Sequence, residues 1–121
     1  MNFSNKDGGK IIFELIKTIQ DKKDFLSEVD GKIGDGDHGI NMNKGFTMTY
    51  CKVNGKDYDM TTAFSVLGDT LLEDIGGSMG PLYGAFFDGL SEASEDHDVI
   101  DKKTFQKMIH TALEAIQDIG N

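Results

Sequence analysis

Apolar residues in this chain recur with the period of an α-helix almost from end to end, and that pattern limits the fold more than any other feature. Ile11, Ile12, Leu15, Ile16 and Ile19 fall at i, i+1, i+4, i+5 and i+8, a single helical stripe. Phe25, Leu26 and Val29 continue it, which predicts a first helix from about Gly8 to about Val29. A second helix is expected over about Ile40 to Cys51, with Met42, Phe46 and Tyr50 on one face. Lys52 to Asp59, containing Asn54-Gly55, reads as a turn. The third helix opens at Thr61 or Thr62, either able to cap it, buries Phe64, Leu67, Leu71, Leu72 and Ile75, and stops at Gly76-Gly77. Pro81 suits the first turn of a fourth helix bearing Leu82, Tyr83, Phe86, Phe87 and Leu90. After an acidic loop, Ser94 to Asp98, Asp101 can cap a fifth helix with Phe105, Met108, Ile109, Leu113 and Ile116. No β-alternation and no internal repeat is visible. The expectation is one all-α domain over residues 1–121, with about five antiparallel amphipathic helices joined by short loops.

Charge narrows the function. The chain carries 21 acidic and 12 basic residues, a net charge of −9, and every basic residue is lysine. Nucleic acid binding needs clustered positive charge to replace counterions, and an anionic membrane surface needs the same. Neither is expected as a partner. Cys51 is the only cysteine, so no intrachain disulfide can form. The first ten residues, MNFSNKDGGK, lack the basic-then-apolar layout of a signal peptide. No apolar run reaches the roughly 18–20 residues that span a bilayer. A cytoplasmic location is the economical expectation.

Two glycine-rich interruptions hold the candidate chemistry. The first is IGDGDHGINM, residues 33–42, with Asp30 just upstream. Asp35 and Asp37 alternate in a loop whose glycines permit sharp bends, and Asp30 ends the first helix where it can fold back toward them. Three carboxylates this close repel unless a cation lies between them. Mg²⁺ takes oxygen ligands and completes its shell with water and phosphate oxygens, so the three could serve two ions bridged by a diphosphate. An EF-hand fails on register, since Gly39 and Phe46 would fall at positions that need a polar ligand and a bidentate glutamate. Asp-Gly loops are also ordinary turns, and the motif alone leaves that reading open. His38 leads into a helix start, where free N–H groups favour an anion, so a phosphate on the amides of residues 38–41 would be well placed. His38 and Asn41 could add side-chain donors. The second interruption, GGSMGPLYG at residues 76–84, also opens a helix, and its glycines allow close backbone approach. It is not a P-loop, because no GK[ST] follows, and by itself it fits a plain helix–helix turn. No residue reads as a catalytic nucleophile.

Asp30 with IGDGDHGINMNKGF, followed by GGSMGPLYGAFF, resembles the ADP-binding L subunit of phosphotransferase-system-dependent dihydroxyacetone kinase. The resemblance implies that the helices form part of an eight-helix barrel. It implies Mg²⁺, two ions, on Asp30, Asp35 and Asp37. It implies ADP or ATP held at His38, Gly39, Ile40, Asn41, Gly77, Ser78, Met79 and Gly120. The implied partners are a K subunit that holds dihydroxyacetone and an M subunit, the phosphocarrier that regenerates bound nucleotide. Three departures stand out. The GDKTM-like motif and a later arginine-containing segment of the family do not occur in this chain, which has no arginine at all. Met79 stands where the family has serine, and a thioether cannot donate to a phosphate. Lys44 stands where arginine is common, so a bidentate contact would be lost. Five of eight helices would leave apolar faces uncovered, which predicts self-association or pairing with a second-half polypeptide, and little activity alone. A non-catalytic nucleotide- or metal-sensing module, acting through partner proteins, is the rival from another class. A helical domain with a vestigial site is the third.

Overall fold

The computed structural model describes residues 2–31, 38–75 and 79–120. Six helices dominate them: α1 Lys10–Asp21, α2 Lys23–Asp30, α3 His38–Val53, α4 Met60–Asp74, α5 Met79–Ser94 and α6 Lys102–Gly120. Two short strands, β1 Asn2–Ser4 and β2 Val99–Asp101, pair antiparallel with Phe3 opposite Ile100. Three-residue strands are too short to show a period, which is why alternation was invisible in the sequence.

The expected first helix is two helices. The chain bends at Lys22 (φ −102°, ψ 9°), although Lys22 N–H still donates to the Thr18 carbonyl at 3.0 Å. The bend follows from packing rather than from a breaker residue. It lets α2 lie across the start of α3, where the Lys23 carbonyl meets the Gly39 backbone so closely that a Cβ there would overlap it.

The third helix, α4, is capped two to three residues earlier than expected. Thr62 N–H donates to the Asp59 carboxylate at 2.7 Å, while Thr61 is engaged by Asn5 and Ser94. Asp101 caps α6 as anticipated, receiving Thr104 N–H at 2.8 Å. That bond also holds the Asp101 carboxyl below its usual pKa.

The α3–α6 helices run up and down in sequence order, each short connection reversing direction. In α3 and α4, Gly45 lies against Leu71 and Ile75. In α4 and α5, Gly84 lies against the Gly68 carbonyl, and Ser91 donates to the Thr61 carbonyl at 2.7 Å. In α5 and α6, Gly89 lies against Ala112. Glycine at these crossings brings helix backbones nearly into contact.

The core contains Ile12, Ile16, Met42, Phe46, Phe64, Leu67, Leu71 and Met108. Phe87 sits among three other rings: it stacks on Phe64 at 5.9 Å and meets Phe46 and Phe86 edge-on at 6.0 and 5.4 Å. Several residues expected inside are not. Leu72 is 46 % exposed, Leu113 50 %, and Phe25, Val29, Tyr50, Tyr83 and Phe105 are exposed too. Tyr50 nonetheless packs edge-on against Phe13 at 6.0 Å.

Candidate functional site

Of the residues that the sequence marks for a site, the described ones lie at the end of α2, at the starts of α3 and α5 and at the end of α6. Antiparallel pairing of α3 with α4 and of α4 with α5 makes α3 and α5 parallel, so both point their N-termini toward the same end of the bundle, α5 starting beside the end of α4 and α3 starting beyond it. Ile75, the residue after α4, packs on Gly45, with its Cγ1 3.1 Å from where a Cβ would stand. Gly45 is seven residues into α3, about 10 Å of rise from its first residue. At the start of α5, Gly80 fits under the Leu71 and Ile75 carbonyls, where a Cβ would stand 2.5 Å from the Leu71 oxygen. Each helix has 16 residues and no acidic side chain in its first turn, so neither set of free N–H groups is answered by a carboxylate from that turn. The last turn of α6 reaches the same end, because Gly89 of α5 faces Ala112 and the chain runs antiparallel from there.

The individual residues fall as follows. Asp30 is the last residue of α2. His38 is the first residue of α3, followed by Gly39, which is buried, Ile40, which is 58 % exposed, and Asn41, which is half-buried. Met79 is the first residue of α5, and its side chain packs on the core. That position therefore turns its thioether toward the interior. Gly120 ends α6. Asp35, Asp37, Gly77 and Ser78 lie outside the described residues, as do Gly76 and the expected helix stop there. Among the described residues no group of three or more His, Cys, Asp or Glu side chains gathers around one point. The expected carboxylates belong instead to the end of α2 and to the segment 32–37.

Sequence reasoning passed over Ser27. Its Oγ is buried without a hydrogen-bond partner and lies 2.6 Å from where a Gly39 Cβ would be. Such a hydroxyl is costly unless something answers it. A serine one turn before Asp30 carried no signal, since polar residues are common on a helix like α2. Gly39 gains a second meaning as well. Beyond any ligand, it is required because α2 and α3 touch there.

The most perturbed carboxyl lies elsewhere. Asp88 of α5 faces Gly68 of α4, and its pKa is pushed up to about 7 by burial, by the Asp69 carboxylate, which also hydrogen-bonds it, and by Glu73. These residues belong to the middle of the α4–α5 contact, away from the helix starts.

Residues 32–121 match the family model described as the DAK2 domain. The chain is 40 % identical over 103 residues to the "PEP-dependent dihydroxyacetone kinase 1, ADP-binding subunit DhaL" of Listeria innocua serovar 6a, covering 84 % of this chain and 52 % of that protein. It is 38 % identical over 103 residues to the corresponding PTS-dependent subunit of Lactococcus lactis subsp. lactis, covering 84 % and 51 %. With the Escherichia coli K12 subunit it shares 31 % identity over 100 residues, 82 % of this chain and 48 % of that one. The chain thus spans about half the length of these curated relatives. A domain match over three-quarters of the sequence, containing both helix starts described above, makes the chain a member of the DAK2-domain family of dihydroxyacetone kinase ADP-binding subunits.

Proposed function

We propose that this chain forms part of a Mg–ADP/ATP-binding subunit of a dihydroxyacetone (glycerone) kinase. The observation that carries the reading is that α3 and α5 both start toward the same end of the bundle, in a chain whose relatives are named ADP-binding subunits. Nucleotide phosphates are anions, and two helix starts with close-approach glycines supply oriented N–H donors for them. In this reading the backbone amides of residues 38–41, together with those of Gly77, Ser78 and Met79 and with Gly120, would hold the nucleotide. Ser27 supplies an unanswered hydroxyl beside the start of α3. Asp30, Asp35 and Asp37 would hold Mg²⁺, two ions in this reading, whose charge would offset that of the phosphates.

The chain itself binds and orients. In this proposal the phosphoryl group comes from the M-subunit phosphocarrier through bound nucleotide and goes to dihydroxyacetone on the K subunit. No side chain here serves as nucleophile. The same reading places the protein in the cytoplasm. Among the described residues no helix is long and apolar enough to cross a membrane.

One observation favours the second reading, a nucleotide- or metal-sensing module without catalysis. Met79 turns its side chain into the core, so the α5 start offers backbone donors but no hydroxyl at that position. A coupled assay with K and M subunits separates the two. Phosphorylation of dihydroxyacetone that depends on this chain supports the kinase subunit. Nucleotide binding without turnover supports the sensor.

A further inference from the structure

Among the described residues, one buried side-chain oxygen or nitrogen has no hydrogen-bond partner, the Oγ of Ser27, which exposes less than 1 Å² of surface. Other hydroxyls inside these helices are answered. Thr49 donates to the Gly45 carbonyl at 2.9 Å and Thr70 to the Val66 carbonyl at 2.7 Å, each four residues back. Ser91 donates to the Thr61 carbonyl at 2.7 Å. Ser27 has the same option in the Lys23 carbonyl, four residues back in α2, and does not take it. That carbonyl instead lies against Gly39, and the Ser27 Oγ stands 2.6 Å from where a Gly39 Cβ would be. The hydroxyl thus faces the first turn of α3.

That turn suits an anion. The α3 helix has 16 residues and no acidic side chain in its first turn, so no carboxylate from that turn answers its free N–H groups. A buried hydroxyl without a partner destabilises the protein that carries it. The same hydroxyl beside a docked phosphate makes a charge-assisted hydrogen bond, about twice as strong as a neutral one. Glycine at position 39 keeps the hydroxyl and the helix start in contact, since any side chain there would fall between them. We infer that Ser27 is a phosphate-binding residue whose hydroxyl donates to an oxygen of the anion docked on the start of α3. It is unpaired in the free protein because its partner is the ligand. The inference rests on the nucleotide-binding reading and adds to it a donor from α2, outside both glycine-flanked helix starts. With serine at position 27 the free protein is less stable, and the loaded site tighter, than with alanine.

Thermal melting and calorimetric titration with Mg–ADP and with Mg–pyrophosphate test this on wild type, Ser27→Ala and Ser27→Thr. Without ligand, Ser27→Ala should melt about 3 °C or more above wild type. It should bind Mg–ADP about tenfold more weakly, and Mg–pyrophosphate weaker by the same factor, because the lost donor serves the phosphates and not the nucleoside. A serine with a purely structural role would not raise stability and lower affinity in one substitution. Ser27→Thr, which keeps the hydroxyl, should bind both ligands more tightly than Ser27→Ala. A Ser27→Ala protein that melts below wild type would show the hydroxyl already paired in the free protein and would overturn the inference. Equal affinities of wild type and Ser27→Ala would overturn it and leave the nucleotide reading standing. Equal weakening by alanine and threonine would assign the loss to packing and overturn it as well. A wild-type chain that binds neither ligand would overturn the nucleotide reading and this inference together.

Discussion

Asn5 offers its side-chain NH₂ to three acceptors, Thr61 Oγ1 at 2.8 Å and the carbonyls of Ser94 and His97 at 3.2 and 2.9 Å, while its Oδ1 accepts from Thr61 N–H at 3.1 Å. Its own backbone joins the same knot, donating to Asp98 and accepting from Gly8 and Met60. One buried amide thus ties the N-terminal strand to the start of α4 and the end of α5. Asn5→Ala leaves several buried groups unanswered and should cost about 3 kcal/mol, read as a fall in urea midpoint at unchanged slope. A loss under about 0.5 kcal/mol, the range of ordinary surface substitutions, would show that the knot is dispensable. Asp88 makes the opposite contribution. Its carboxyl ordinarily titrates at 3.8 and here near 7, so the folded state holds the proton more tightly than the unfolded chain. The stabilisation is complete below about pH 3.8 and is lost as pH rises to about 7. Above that, a charged Asp88 opposes the α4–α5 contact beside Asp69 and Glu73. Asp88→Asn should melt close to wild type at pH 4 and higher than wild type at pH 8. The reverse order, or equal melting at both, would contradict the assignment.

Between elements, the decisive contact is α2 against the start of α3. Gly39→Ala forces a methyl into the Lys23 carbonyl and against Ser27, with backbone on both sides and little room to relax. It should destabilise by about 2–3 kcal/mol, and thermal melting of the ligand-free protein measures that apart from any effect on a ligand. This contact also marks where the sequence stopped being legible. The stripes from Ile11 to Ile19 and from Phe64 to Ile75 announced helices because burial on one face leaves a period. The bend at Lys22 left no sign, since Asp21-Lys22-Lys23-Asp24 contains no breaker and only packing on Gly39 requires it. Thr61 resembled a cap for a sound local reason, yet tertiary bonds to Asn5 and Ser94 claimed it and Asp59 took the role. Leu72, Phe105 and Leu113 were expected inside because each falls on an apolar helical stripe, yet a stripe wider than the contact it makes leaves its edge residues exposed. Of the site, the two glycine-flanked helix starts could be read directly, because Gly and Asp next to an apolar run are local features. Their arrival at one end of the bundle, and Ser27 beneath Gly39, depend on helix pairing that no local pattern encodes.

At the scale of the molecule, six helices bring two N-termini to one end and leave one long side, between α1 and α6, apolar and open. In the proposed reading the first property supplies a phosphate-binding wall. An acidic protein, net −9, that collects anionic phosphates beside its own aspartates needs a divalent cation between the two, so nucleotide binding should depend on Mg²⁺. The most direct measurement is calorimetric titration of ADP, with and without Mg²⁺, into the wild-type chain and Asp35→Ala. The predicted result is saturable binding to wild type that disappears on chelating Mg²⁺ or on replacing Asp35. Saturable binding that Asp35→Ala and chelation leave unchanged would contradict the account, as would no binding by wild type at millimolar ADP and Mg²⁺.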